Sequence, residues 1–145
     1  TPNCSSAASD VYKRQAEASL TEHEKNELKV FKKVFINPKI LQKSDDLENF
    51  NEGCLSIPDV RGDVNRPSSI KIKYQNQYFR EITEHISGLP SRIVQHEYDH
   101  LEGILFTDKL STLKKKLLKN KLLKISRGNI NVDYLMKFDN NRYTR

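Results

Sequence analysis

The sequence is poor in the residues that mark several nonglobular classes of protein. Of its 145 residues only five are glycine and five are proline, which argues against a collagen-like, low-complexity or disordered chain. Its two cysteines, Cys4 and Cys54, are too few for a disulfide scaffold, and we predict that neither is bridged. No apolar run approaches the roughly 20 residues that span a bilayer, and no segment resembles a signal peptide. These absences predict a soluble, cytoplasmic globular domain.

Positive charge exceeds negative charge, and much of the excess is local. The chain has 25 Lys and Arg against 19 Asp and Glu, a formal net charge of +6. One late segment concentrates the cations: Lys114, Lys115, Lys116, Lys119, Lys121, Lys124 and Arg127. Such a cluster permits contact with nucleic acid, a ribosome or an acidic surface, but a solvated basic helix is the simpler interpretation.

The first part of the chain divides into a segment without pattern and the start of a domain. Residues 1–15 lack a period of two or 3.6, so we expect no packed element there and assign residues 16–145 to one domain. Thr21 and Glu24 have the spacing of a capping box. They predict a short helix that ends near Lys29.

The middle of the chain predicts strands. A β-branched and aromatic run predicts a strand over residues 30–37, stopped by Pro38, and the polar residues 43–51 predict a loop. Residues 70–74 and 79–86 alternate between apolar and polar side chains on either side of a short turn. This alternation predicts an antiparallel hairpin.

Two helices are predicted in the second half. Pro90 suits the first turn of a helix that ends just before Gly103. Ser111 is the predicted N-cap of a last helix, and residues 131–138 are a predicted edge strand.

The first of these helices has an unusual core-facing side. At about 100° per residue, one arc combines apolar and polar side chains: Ile93, Val94, His96, Glu97, His100 and Leu101. The opposite arc holds Gln95, Tyr98, Asp99 and Glu102. Burying two imidazoles and a carboxylate without partners costs several kcal/mol in total. The core-facing polar groups therefore need a common partner.

A metal ion is the partner that fits this spacing. Histidines at i and i+4 bring two ring nitrogens within reach of one ion, and Glu97 between them can touch a water on that ion. A single buried histidine is more often a hydrogen-bonded core residue. The triple favours a metal, because one ion satisfies His96 and His100 together.

A catalytic site of this type needs a third protein ligand, and the sequence offers Cys54. It lies in Glu-Gly-Cys-Leu-Ser, residues 52–56, where glycine permits a close backbone approach. A lone buried thiol is more often inert packing. Beside His96 and His100 we interpret it as a ligand.

These two motifs together resemble a known family. Residues 52–56, followed about forty residues later by Gln-His-Glu-Tyr-Asp-His-Leu-Glu-Gly at 95–103, resemble the second and third signature motifs of peptide deformylases. The resemblance runs from about Val34 through the C-terminal basic segment. It implies an α+β fold in which antiparallel β-sheets pack around a central metal-binding helix.

The resemblance also implies a reaction, the hydrolysis of the N-formyl group from formyl-methionine at the start of new polypeptides. Cys54, His96 and His100 would hold one divalent metal ion, Fe²⁺ natively and often Zn²⁺ or Ni²⁺ in preparations. Glu97 would act as general base and then acid. The backbone N–H of Leu55 would stabilise the oxyanion.

Substrate-binding residues follow from the same resemblance. The peptide would add as a strand beside Gly53, with its methionine side chain in an apolar pocket near Leu89, Ile93 and the stem of Glu52. Arg61 and Arg66 fall where the family carries arginines near the site, although surface cations explain them equally well. The expected partners are N-formylmethionyl peptides and, through the basic C-terminal segment, the ribosome, with no membrane.

One family motif is missing. Peptide deformylases carry Gly-x-Gly-x-Ala-Ala-x-Gln, whose Gln is the second oxyanion donor, and this chain has no glycine before Gly53. It therefore resembles a member that lacks its N-terminal part, with residues 1–15 as unrelated sequence. A catalytically impaired fragment is the alternative that this absence leaves open.

Two other classes compete with this interpretation. A structural zinc or nucleic-acid-binding module would need a fourth ligand, and the remaining Cys4, His23 and His85 have no suitable spacing. A zincin-type peptidase would need a third ligand downstream of the helix motif, but Glu102 lies on the opposite face.

Overall fold

A computed structural model describes residues 21–132, 134, 136–137 and 143–144. Its elements, in chain order, are α1 (Glu22–Val30), β1 (Ile36–Lys43), β2 (Leu47–Cys54), β3 (Ile57–Pro67), β4 (Ser69–Gln75), β5 (Glu81–Ser87), α2 (Gly88–Leu101), a 3₁₀ turn (Phe106–Lys109), α3 (Thr112–Ser126), β6 (Met136–Lys137) and β7 (Tyr143–Thr144). The predictions for residues 1–15 lie outside the described residues.

Antiparallel sheets and helix α2 form the architecture. One sheet has three strands in the order β1-β4-β5, and β2 and β3 form a separate hairpin. Val94 of α2 packs into the core cluster of the three-stranded sheet, and Arg92 of the same helix hydrogen-bonds the backbones of β2 and β3. The expected α+β fold around a central helix is confirmed.

The predicted hairpin is confirmed as β4 and β5, which pair antiparallel with Ile72 opposite Glu84. Alternate residues of β4 are buried: Ile70, Ile72 and Tyr74. The apolar alternation worked here because one face of the sheet meets the core and the other meets solvent.

The strand predicted over residues 30–37 is wrong. The strand β1 begins at Ile36 and runs through Pro38, which lies at a register shift between Ile36 and Lys39. Because β1 is an edge strand, a proline at an irregularity removes no necessary ladder bond. Phe35 precedes the strand and packs on Tyr74 with ring centroids 4.3 Å apart.

The loop predicted over residues 43–51 is also wrong, since residues 47–54 form β2 and pair along their length with β3. The first half of β2 is exposed on both faces, so it has no apolar alternation. Strand β2 is stabilised instead by backbone pairing with β3 and by cross-strand side-chain hydrogen bonds, such as Asn51 Nδ2 to Asp63 Oδ1 at 2.7 Å.

The predicted helices are confirmed with small changes. Helix α2 begins at Gly88, two residues before Pro90, and Gly103 follows its end with a φ of 72° that favours glycine. Helix α3 begins after Ser111, whose Oγ accepts from the N–H of Lys114 at 3.3 Å. Both helices therefore use the capping signals that the sequence contains.

The wheel of α2 is wrong at two positions. Leu101, expected inside, is 45% exposed, and Gln95, expected outside, is 4% exposed. The Gln95 amide donates to Pro67 O at 2.9 Å and to Ser91 Oγ at 3.1 Å, so it is buried with partners. Polar surroundings, which a wheel cannot show, decide its side.

The end of the chain is only partly described. Within the predicted edge strand of residues 131–138, Met136–Lys137 pair with Tyr143–Thr144. Among the described residues, no helix has the length and apolar character that a membrane crossing requires.

Candidate metal centre

Three candidate ligands converge between β2 and α2. Cys54 ends β2, while His96 and His100 lie one turn apart on α2. One ligand atom from each residue lies within 4.8 Å of the others. Cys54 Sγ is 3.5 Å from His100 Nε2, and the two imidazole rings meet edge to face with centroids 4.8 Å apart.

The donor set fits a divalent transition metal. One thiol and two imidazoles are the ligands that zinc and ferrous iron accept. Cys54 and His96 are 5% and 4% exposed, so these two donors are largely shielded from water, while His100 is half-buried. Within the part of the chain that the structure describes, this is the one cluster of three or more such donors, and a closed structural site would need a fourth.

Without a metal, the cluster favours a Cys54 thiolate held by protonated histidines, and a cation that binds there would displace the histidine protons. Burial raises the pKa of Cys54, but hydrogen bonds from His100, His96 and the Ser56 N–H outweigh it and lower that pKa to about 6. The pKa of His96 rises to about 9 against the effect of burial, because it shares hydrogen bonds with Cys54 and Glu52. Thiolate is the form of cysteine that binds metals.

Glu52 lies behind the ligands and is fully buried. Its carboxylate accepts from Arg66 Nε at 2.7 Å and from Arg92 Nη1 at 2.7 Å, and it lies 3.2 Å from His96 Nδ1. Burial alone would raise the pKa of Glu52, yet hydrogen bonds from His96 and Arg66 lower it to about 2. The contact at Nδ1 leaves Nε2 of His96 as the ligating nitrogen, a common arrangement in metal sites.

The network continues through residues that the sequence did not single out. Arg66 Nη1 donates to Asp99 Oδ2 at 2.6 Å, and Arg92 donates to the backbone oxygens of Val64 at 3.2 Å and Glu48 at 2.5 Å. Two carboxylates thus balance two guanidiniums across β2, β3 and α2. Residues 89–96 are all buried, Arg92 among them, and no sequence pattern indicated its burial.

The predicted catalytic groups flank the cluster. Glu97 is half-buried between the two histidines in sequence. The pKa of His100 is raised chiefly by its hydrogen bond with Cys54, and the charge of Glu97 adds to that rise. Leu55 lies in the turn that joins β2 to β3, directly after Cys54. Tyr134, which the sequence did not indicate, donates its hydroxyl to Leu55 O at 2.8 Å.

The predicted peptide-binding residues lie on the hairpin. Gly53 is buried and pairs with Arg61 across the two strands. Among the described strands, β2 pairs with β3 alone, so its other edge has no strand partner. Arg61 donates to Asn51, from Nε to Oδ1 at 2.7 Å and from Nη2 to the backbone oxygen at 2.6 Å.

The predicted pocket residues are covered. Leu89 and Ile93 form a buried cluster with Leu28 of α1, and Phe50 packs against it. Leu28 is itself fully buried. The apolar surface near the ligands is therefore occupied by a side chain of α1.

Comparison with known proteins supplies the family. The polypeptide deformylase family model matches residues 7–116. The chain belongs to this family. It is 54% identical over 126 residues to the peptide deformylase of Christiangramia forsetii, covering 87% of this chain and 64% of that protein. It is 51% identical over 115 residues to that of Flavobacterium johnsoniae, with 79% and 59% covered.

Solved structures agree on the fold. The chain is similar to Arabidopsis thaliana peptide deformylase 1B, with a TM-score of 0.63 and 40% identity over 67% of this chain and 54% of that one. It is similar to Plasmodium falciparum peptide deformylase, with a TM-score of 0.62 and 41% identity over 66% and 62%. The chain spans about three fifths of the length of the curated relatives that it matches.

Proposed function

We propose that this chain removes the N-formyl group from formyl-methionine at the start of new polypeptides. The observation that carries the proposal is the convergence of Cys54, His96 and His100 within 4.8 Å, with Glu97 between the two histidines. A thiol paired with two helical imidazoles distinguishes this donor set from the sites of zincin peptidases. A cytoplasmic location, where new chains emerge, is part of the same proposal.

The three ligands would hold one divalent cation, with Fe²⁺ as our choice and Zn²⁺ or Ni²⁺ as substitutes. When bound, such a cation supplies the Lewis acidity that makes water acidic enough to attack at neutral pH. Glu52 would keep the ligating nitrogen of His96 aimed at the cation through its contact with Nδ1.

The reaction itself would use Glu97 and Leu55. Glu97 accepts a proton from the water whose oxygen attacks the formyl carbon, then gives that proton to the amine as the C–N bond breaks and formate leaves. The Leu55 N–H donates to the oxyanion that forms in between. Loss of one such donor costs roughly 3 to 4 kcal/mol of transition-state stabilisation.

The substrate would bind beside β2. An extended peptide can pair with the edge of β2 that has no described strand partner, at Gly53. Arg61, on the neighbouring strand, would border this peptide. The methionine side chain would enter the apolar cluster at Leu89 and Ile93, which requires Leu28 to give way.

The test is anaerobic purification with metal analysis, followed by hydrolysis of a formyl-methionyl tripeptide. We expect one divalent metal per chain and a fall in kcat of about 10²- to 10⁴-fold in Glu97→Gln. Glu102→Gln on the exposed end of α2 is the matched control and should retain activity. Undiminished turnover by Glu97→Gln would refute the acid/base role, and a metal-loaded chain without turnover would support the impaired-fragment alternative.

Ribosome docking through the basic segment is a separate part of the proposal. Its first three lysines, Lys114, Lys115 and Lys116, are exposed on α3. Reversing their charges should weaken cosedimentation with ribosomes, and the difference from the parent chain should shrink as salt concentration rises. The matched control reverses the charges of three exposed lysines in the three-stranded sheet: Lys39, Lys43 and Lys71. Equal cosedimentation of both triple variants would refute ribosome docking through the basic segment.

A further inference from the structure

The C-terminal segment reaches back to the turn beside the metal ligands. Tyr134 lies beyond residue 116, where the family match ends. Its hydroxyl donates to Leu55 O at 2.8 Å, across 79 residues of sequence. Because the two residues are far apart in sequence, local chain geometry does not bring them together.

The Leu55 carbonyl shares one peptide group with the Ser56 N–H, and that N–H donates to the Cys54 sulfur. A chain of two hydrogen bonds therefore runs from the Tyr134 hydroxyl through this peptide to the thiol. Hydrogen bonds in series polarise each other. The donor that reaches sulfur is stronger when the carbonyl at the other end of the peptide is also bonded.

This peptide lies at the centre of a tight turn. Cys54 pairs with Ile57, so residues 55 and 56 are the two central residues of that turn. Rotating the peptide by half a turn would need a positive φ at Ser56, which is not among the residues with positive φ. The bond from Tyr134 adds to this preference by holding the Leu55 carbonyl, and with it the Ser56 N–H, in the orientation that faces Cys54.

We propose that Tyr134 is a positioning residue for the Cys54 ligand, acting through the Leu55–Ser56 peptide. The inference rests on the proposed role of Cys54 as a metal ligand. Tyr134 touches neither substrate nor metal in this account. It extends the site to a segment beyond residue 116, where the match to the family model ends.

The test replaces the metal with Co²⁺ and compares Tyr134→Phe with the parent chain. We expect the thiolate-to-cobalt absorption band to move to longer wavelength, because a weaker Ser56 donor leaves more electron density on sulfur. Competition with a chromophoric chelator should show Zn²⁺ affinity lower by about three- to tenfold. A purely structural anchor would lower thermal stability and leave the band in place.

Tyr74→Phe is the matched control. It also removes a tyrosine hydroxyl that donates to a partner, Glu84 Oε1 at 2.7 Å, but in the three-stranded sheet. Its band and affinity should equal those of the parent chain. An unshifted band with unchanged affinity in Tyr134→Phe would overturn the inference, as would a parent chain without a thiolate band. Absence of deformylation with a normal, Tyr134-dependent band would instead contradict the proposed function alone.

Discussion

The three-stranded sheet and the β2–β3 hairpin meet helix α2 through different interactions. The sheet buries an apolar cluster in which Ile70 and Ile72 are 1% and 0% exposed. The hairpin instead meets α2 through buried charges, with Glu52 and Arg66 at 0% and 2% exposure. The sheet is a scaffold, and the hairpin carries the candidate ligand Cys54.

Buried ion pairs are weak evidence for stability, because well-packed apolar side chains often stabilise a core equally well. They do fix geometry, since every charged group needs its partners in place. The buried charges lie on the side of the hairpin that faces the candidate ligand His96, while Cys54 and the other buried apolar residues of the hairpin pack against apolar side chains.

The largest effect is expected from Glu52→Gln. The variant leaves Arg66 and Arg92 buried beside a neutral amide, and unfolding should become easier by about 3 to 5 kcal/mol. Zn²⁺ affinity should fall about 10- to 100-fold, because the partner of His96 Nδ1 weakens. Denaturant titration and chelator competition measure the two quantities.

The matched control for Glu52→Gln is Glu84→Gln in the three-stranded sheet. Glu84 pairs with Lys33, whose side chain is 37% exposed, so solvent screens the pair and the loss should stay below about 1 kcal/mol. Equal losses in both variants would contradict the contrast between sheet and hairpin.

A smaller effect distinguishes Leu28→Ala from Ile72→Ala. Both remove a fully buried side chain and should destabilise the fold by about 2 to 5 kcal/mol. Only Leu28 covers the proposed pocket at Leu89 and Ile93, so only its variant should lower KM for a formyl-methionyl peptide. Steady-state kinetics on both variants measures the two KM values. An equal change of KM in both variants would show that α1 does not cover the pocket.

Acid should weaken the stabilising effect of the Glu52 carboxylate. The pKa of Glu52 is about 2 in the folded chain against an ordinary 4.5. A lowered pKa means that the carboxylate contributes its stability above pH 4.5 and loses it as pH falls toward 2. The stability difference between metal-free parent and Glu52→Gln should therefore shrink over this window. A constant difference would show that Glu52 does not titrate as described.

Sequence patterns predicted the parts of the fold that rest on apolar alternation and capping. The β4–β5 hairpin, α2 and α3 follow from such signals, and the two motifs singled out Cys54 and the two histidines, which the structure brings together. Strand β2 was missed because its exposed half has polar residues on both faces. Backbone pairing and cross-strand bonds between polar side chains define it, and neither produces an apolar alternation in the sequence.

The site residues that the sequence did not indicate depend on contacts between different elements. Asp99 and Arg92 are charged, and a helical pattern assigns charged side chains to solvent. Their burial depends on each having an opposite charge on another element, through Arg66 for the first and Glu52 for the second. Tyr134 depends on a contact between distant segments, which residue spacing cannot reveal.

The proposed function requires that Cys54, His96 and His100 bind one cation together. X-ray absorption of the zinc-loaded chain measures this directly. We predict one sulfur at about 2.3 Å and two imidazole nitrogens at about 2.0 to 2.1 Å, with the sulfur signal lost in Cys54→Ala. A zinc shell without sulfur in the parent chain, or one with four protein ligands, would contradict it.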